Sequence, residues 1–225
     1  MTVEIPRLYA ASTDVLNSPF LFEKAFRKAT PYRKEKTERY KFRKDKNLSL
    51  GAEMLLFYAL KDIGYNKTPE YISGTNGKPY LKDKDIFFNL SHSEEYVLCG
   101  ISNSEIGCDI QKVGKADLKI SERFFTENEH KKILSAENGD KDRMFYRIWT
   151  LKESFIKANG KGLNIPLDSF EILPQKIPKV KHTGETELYF KEFSDINGYC
   201  CSLCSQRDCL KTELKIIDLR DFLGR

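Results

Sequence analysis

Three short stretches of this chain hold residue types that can do chemistry. In Ile106-Gly107-Cys108-Asp109-Ile110-Gln111 a carboxylate stands in an apolar, strand-like run beside a glycine. Side chains alternate along a strand, so Asp109 and Gln111 share a face. A hard cation such as Mg²⁺ takes oxygen ligands, and a carboxylate or an amide carbonyl can supply them. In Trp149-Thr150-Leu151-Lys152-Glu153-Ser154-Phe155-Ile156-Lys157 the spacing puts Trp149, Glu153 and Lys157 one helical turn apart on one face. That sets an acid between an aromatic ring and an amine, with Gly160-Lys161-Gly162-Leu163 just beyond. In Asn89-Leu90-Ser91-His92-Ser93, hydroxyls and an imidazole follow an apolar run, and such donors can hold phosphate oxygens.

Each stretch alone also has a plainer reading. The first fits the polar face of a half-exposed strand, and the third an ordinary turn between strands. The second fits a surface Glu–Lys pair worth a few tenths of a kcal/mol, with the lone tryptophan as a packing anchor.

The elements that must position these residues are legible in outline. Ser18-Pro19 and Thr30-Pro31 are helix starts, each a capping residue followed by a first-turn proline. Leu48, Ala52, Leu55, Leu56, Ala59, Leu60 and Ile63 recur at helical spacing until Gly64 stops them. Turn residues crowd Ser73 to Pro79. Short strands are expected at Ile86 to Leu90, Tyr96 to Ile101 and Ile106 to Val113. Thr126 and Glu129 form a capping box for a helix through Ile133 and Leu134, and Phe145 to Ala158 carries a buried helical stripe. Strands are expected again at Phe170 to Leu173, Glu187 to Phe193, Tyr199 to Cys204 and Leu214 to Leu219. The pattern is α+β: two halves of similar plan, 1–104 and 105–225, each a small antiparallel sheet packed with helices.

Bulk properties bound the function. The 225 residues are 40% hydrophobic and 12% aromatic, which argues against disorder. No run reaches the length of a membrane span and the N-terminus has no secretory signal, so a cytoplasmic protein is expected. The six cysteines then read as reduced thiols. Cys201 and Cys204 have C-x-x-C spacing, but on a strand i and i+3 project to opposite faces, so they do not share a metal without a tight turn. The formal charge of +5 suits an anionic ligand. A basic run from Arg33 to Lys46 with Tyr40 and Phe42 raises nucleic-acid binding as a rival. A helix with a basic solvated face explains it more simply, and no nucleic-acid motif accompanies it.

Taken together and in order, Gly77-Lys78-Pro79, Asn89 to Ser93, Ile106 to Gln111 and Trp149 to Leu163 resemble the two-lobed, surfactin-synthetase-activating type of 4′-phosphopantetheinyl transferase. Four ordered motifs over roughly Lys24 to Leu173 are far more specific than any one of them. The resemblance implies an Mg²⁺-dependent enzyme that moves the phosphopantetheine arm of coenzyme A onto a serine of an apo acyl or peptidyl carrier protein. Such carriers serve fatty-acid, polyketide and nonribosomal-peptide synthesis. It implies a monomer with the two lobes in pseudo-twofold arrangement and the site in the cleft between them, and neither nucleic-acid nor membrane partners. By the same likeness Asp109, Gln111 and Glu153 hold the metal, while Glu153 and Lys157 are catalytic, Lys157 also meeting a phosphate oxygen. Ser91 and His92 hold phosphates, Lys78 and Pro79 border the adenine, and Arg33 and Lys36 face the 3′-phosphate. Lys46 stands in for an arginine that the family places where this chain has Asn47. Gln111 replaces the family's usual glutamate, removing a negative charge from the metal site. That change is the one feature favouring a non-catalytic carrier-binding relative.

Overall fold

The computed structural model describes residues 5–74, 76–83, 85–137, 139–160, 165–182 and 187–224. The chain opens with strand β1 (Arg7–Ser12) and a 3-10 turn, then helices α1 (Pro19–Lys28), α2 (Pro31–Arg39) and α3 (Arg43–Asp62). A hairpin of β2 (Tyr71–Ser73) and β3 (Pro79–Leu81) precedes strands β4 (Phe87–Ser93), β5 (Tyr96–Ser102) and β6 (Ile106–Lys112). Helices α4 (Leu118–Phe124), α5 (Glu127–Leu134) and α6 (Lys141–Asn159) follow. Strands β7 (Glu171–Leu173), β8 (Lys179–Lys181), β9 (Tyr189–Phe193), β10 (Tyr199–Ser205) and β11 (Leu214–Ile217) lead to the short helix α7 (Leu219–Leu223). The architecture is α+β, as the pattern of elements implies.

The first sheet runs β11-β1-β5-β4 and the second β6-β10-β9. Helix α3 lies on the first sheet, and Leu50, Met54, Leu55 and Ala59 are fully buried in a core with Tyr9, Val97 and Cys99. Helix α6 lies on the second in the same manner. Strand β11 pairs in parallel with β1, and α7 packs onto α3 and α1. Residues 214–224 therefore join the N-terminal sheet, although they end the C-terminal half.

Local signals set the helix boundaries. The Thr30 hydroxyl accepts from Arg33 N, and Thr126 and Glu129 make both bonds of the capping box. Helix α3 begins five residues earlier than its apolar stripe, at Arg43, because its first turn is the polar end of the basic run. That run is split between two helices and partly paired: Arg39 with Glu35, Lys44 with Glu94, and Arg33 near the buried Glu53. No helix among the described residues is long and apolar enough to cross a membrane.

Lys152, in the middle of the Trp149–Lys157 stretch, is fully buried and points away from the site. Its Nζ donates to Glu129 Oε1 (2.8 Å), Leu167 O (2.7 Å) and Phe170 O (2.8 Å). Glu129 in turn accepts from Thr126 N and Ile172 N, so one ion pair ties α5, α6 and β7 together. Burial pulls the Lys152 amine down, and Glu129 opposes that pull. Lys152→Met leaves a buried carboxylate without its cation and is expected to cost about 3–5 kcal/mol, read as a lowered urea midpoint.

Candidate active site

The site exists because β6 and α6 touch backbone to backbone. A Cβ on Gly107 would lie 2.1 Å from Ser154 O and 2.3 Å from Ala158 N, so only glycine lets the helix settle there. Once it settles, Lys157 and Glu153 stand over Asp109. Gly160, in the left-handed region at φ 71°, ends the helix directly after this face. Lys161 to Leu163 lie outside the described residues.

Asp109 is 1% exposed. Its Oδ1 accepts from Lys157 Nζ (2.6 Å) and from the Ser91 hydroxyl (2.7 Å), and its Oδ2 from Gln111 Nε2 (3.2 Å). Lys157 Nζ also donates to Ser91 Oγ (3.1 Å) and Cys108 O (3.2 Å). Burial works against its charge, but Asp109 overcomes this and holds the ammonium above the usual lysine value. Glu153 is half-buried and accepts no hydrogen bond from the described residues. Burial first, then the charge of Asp109, push its carboxyl above the ordinary glutamate value, against the pull of Lys157.

The Ser91-His92-Ser93 cluster is not a turn. It is the end of β4, and the chain reverses after it at Glu94, whose φ is 53°. Alternation therefore separates the cluster: Ser91 turns in toward Asp109, and His92 turns out and is exposed. Desolvation by its neighbours, with the charges of Lys157 and Lys36, holds the His92 imidazole below its ordinary value.

Arg33, Lys36 and Pro79 meet along a groove of about 590 Å³, with Thr30, Tyr71 and Phe88 completing its walls. Arg33 is braced from behind: its Nη1 donates to Ser49 Oγ (3.5 Å), and its Nε lies 3.7 Å from Glu53 Oε1. Partial burial and the Arg33 charge hold the Lys36 ammonium below the usual lysine value. Two expected ligand residues sit elsewhere. Lys78 turns inward, where its Nζ donates to Glu105 Oε2 (2.6 Å), Ile106 O (3.0 Å) and Lys157 O (2.7 Å). Its three protons clamp the start of β6 to the end of α6. Lys46 is half-buried near the start of α3 and does not line the groove, while Asn47 is buried on Asn17 and Arg43.

The sequence reading missed Tyr71, Glu53 and Ser49 as the backing of Arg33. It also missed that Lys152 and Lys78, inside otherwise functional motifs, are structural. Trp149 stacks on Phe145 (5.8 Å) within an aromatic cluster that includes Phe125, a packing anchor. All six cysteines are free and buried. Cys201 and Cys204 belong to different clusters on opposite faces of the straight strand β10. Among the described residues no three histidine, cysteine, aspartate or glutamate side chains gather as a metal site, so Asp109 and Glu153 are the acids available here.

The chain is similar to known proteins along most of its length. Residues 105–204 match the family model described as the 4′-phosphopantetheinyl transferase superfamily. The chain is 39% identical to the 4′-phosphopantetheinyl transferase gsp of Aneurinibacillus migulanus over 171 residues, covering 74% of this chain and 72% of that one. It is 30% identical to the 4′-phosphopantetheinyl transferase Sfp of Bacillus subtilis (strain 168) over 206 residues, covering 86% and 89%. A solved holo-(acyl-carrier-protein) synthase of Bacillus anthracis, in complex with CoA (3′,5′-ADP), superposes with a TM-score of 0.40 at 18% identity, over 45% of this chain and 93% of that one. With close relatives matching along most of its length, this chain belongs to the 4′-phosphopantetheinyl transferase family.

Proposed function

We propose that this protein transfers the 4′-phosphopantetheine arm of coenzyme A to a serine hydroxyl of an apo acyl or peptidyl carrier protein, releasing adenosine 3′,5′-bisphosphate. The observation that carries this reading is the meeting of Asp109, Glu153 and Lys157 where β6 crosses α6, next to a groove holding Arg33 and Lys36. Glu153 and Lys157 are the catalytic pair. Pro79, Arg33 and Lys36 form the coenzyme A side, with His92 at the cleft mouth. Lys78 is 9% exposed and committed to Glu105, Ile106 and Lys157, so the adenine border is left to Pro79. Lys46 stands apart from the groove.

The donors suit a hard cation. Two carboxylates are present, and the amide nitrogen of Gln111 is taken by Asp109, which leaves its carbonyl oxygen as a ligand atom. Asp109, Gln111 and Glu153 would hold Mg²⁺, which when bound neutralises pyrophosphate charge and polarises the reacting phosphorus. The remaining chemistry falls to side chains. Lys157, whose three protons are held by Asp109, Ser91 and Cys108, faces the phosphate with its positive charge. Glu153, raised by burial into a more basic range, takes the proton of the carrier serine. The serine oxygen forms the new bond to phosphorus, and the bond to adenosine 3′,5′-bisphosphate breaks while Arg33 and Lys36 keep hold of that product.

The two halves act as lobes in pseudo-twofold arrangement, with 214–224 returned to the first. Each sets a helix of about five turns on a sheet, α3 on β1 and β5, α6 on β6 and β10. A reducing, cytoplasmic setting accords with six buried unpaired thiols. Incubation with coenzyme A, Mg²⁺ and an apo carrier should add one phosphopantetheine arm to the carrier mass, and a chelator should abolish the gain. No gain with any of several carriers would overturn the reading and favour a carrier-binding protein without activity.

His92 gives a pH-dependent consequence. Its imidazole is held below its ordinary value in the free protein, so it is neutral at pH 7. A bound phosphate dianion favours the protonated ring and raises that value. Coenzyme A affinity should therefore tighten as pH falls from about 8 to 6, with proton uptake on binding. His92→Asn should flatten the dependence. Calorimetry in buffers of different ionisation enthalpy counts the proton, and equal uptake in the variant would remove His92 from the phosphate.

A further inference from the structure

Strand β6, which carries Asp109, has β10 hydrogen-bonded along one edge only, with Asp109 opposite Ser202. Its other edge presents the N–H groups of Cys108, Ile110 and Lys112 toward β4. A bare sheet edge of this kind normally demands a partner strand. No backbone ladder joins β4 to β6, and the two belong to separate sheets. Side chains take the place of the ladder. Asn89 Oδ1 accepts from Cys108 N at 2.9 Å, Ser91 Oγ from Ile110 N at 3.4 Å, and Ser93 Oγ from Lys112 N at 3.0 Å. Each pair is 19 residues apart, so the two strands run alongside in constant register. The period of two that brings Asn89, Ser91 and Ser93 to one face matches the period of the free N–H groups. The Cys108 thiol adds a bond to Asn89 O at 3.3 Å.

Asp109 sits between the first two of these bonds. Its carboxylate is oriented from the same strand by Ser91, whose single proton is given to Oδ1. Ser91 is thereby committed to the protein, and the flanking Asn89 and Ser93 fix the height of β6 against the first sheet.

We propose that Asn89 and Ser93 are positioning residues for the transfer reaction: their side-chain oxygens pair with the edge of β6 and set where Asp109 lies relative to the groove of Arg33 and Lys36. Neither touches the reacting atoms. This rests on the function proposed above, because the property that they set is the approach of Asp109 to the reacting phosphate. A misplacement of about 1 Å in a reacting group can cost on the order of 100-fold in rate.

The test uses Asn89→Leu, which removes the acceptor at similar volume, and Ser93→Ala at a half-exposed position where folding is not at risk. Amide hydrogen exchange at Cys108 and Lys112 is measured together with kcat and KM for coenzyme A. Protection at Cys108 should fall about tenfold or more in Asn89→Leu, and at Lys112 in Ser93→Ala. In both, kcat should drop by about tenfold or more with KM for coenzyme A nearly kept, since the groove residues stay in place. Asn89→Ser and Ser93→Thr, which each keep an oxygen acceptor in the form of a hydroxyl, should retain both protection and kcat. Unchanged protection in Ser93→Ala, or lost protection with kcat intact, would overturn the proposal. A wild-type protein with normal protection and no transferase activity would instead reject the function while leaving the pairing itself standing.

Discussion

Glu153→Gln should lower kcat by about 100- to 10,000-fold while weakening coenzyme A binding much less. The substitution keeps the size and one carbonyl oxygen of the side chain and removes its basicity. Burial and the neighbouring charge of Asp109 raise the Glu153 carboxyl, making it a better base than a solvated glutamate. Lys157, which could have cancelled this, is turned onto Asp109 Oδ1 at 2.6 Å. In the proposed site coenzyme A keeps Arg33, Lys36 and the charge of Lys157, so calorimetric affinity should survive when turnover does not. The measurement is a single-turnover assay of carrier modification beside calorimetry of coenzyme A. Full activity in Glu153→Gln would mean that neither the base nor the ligand role belongs to this residue.

Gly107→Ala should lower stability by about 3 kcal/mol or more, at the upper end of what overpacking costs. For a chain of this size that corresponds to roughly 6–12 °C in Tm. The atoms in the way are backbone: Ser154 O at 2.1 Å, Ala158 N at 2.3 Å and Lys157 C at 2.9 Å. No rotamer change relieves them, so α6 itself must move off β6. Glu153 and Lys157 move with it, and kcat should fall beyond what the stability loss explains, measured at a temperature where the variant stays folded. Gly114→Ala is the natural control, since a Cβ there meets only Tyr146 Oη at 3.8 Å. Equal Tm and kcat in the two variants would show that the helix does not need glycine at 107.

The helix boundaries and the paired motifs were legible because their signals are local. Thr30-Pro31 and the Thr126–Glu129 box act within one turn. Strand β1 gave no such signal. Leu8 to Ala11 lie between β11 and β5 and are buried on both faces, so the run has no alternation to separate it from other apolar segments. The Asn89–Ser93 stretch was read as a turn or a phosphate cradle from its composition. Its polar residues are those of a strand facing another strand's edge, and a side chain pairing with a distant N–H leaves no mark in local spacing.

The sequence by itself determined which groups are candidates: a carboxylate and an amide on one strand face, an acid and an amine one turn apart on a helix, and the order of four motifs that marks the family. Periodicity alone suffices for that, because it is a property of neighbouring residues. Tertiary structure decided what each group does. It turned Lys78 and Lys152 inward as clamps and committed the Ser91 proton to Asp109. It also sent β11 back to the first sheet and placed Arg33 against Glu53. These outcomes depend on contacts between residues far apart in the chain, where burial sets which charges must be paired and which remain open to a ligand.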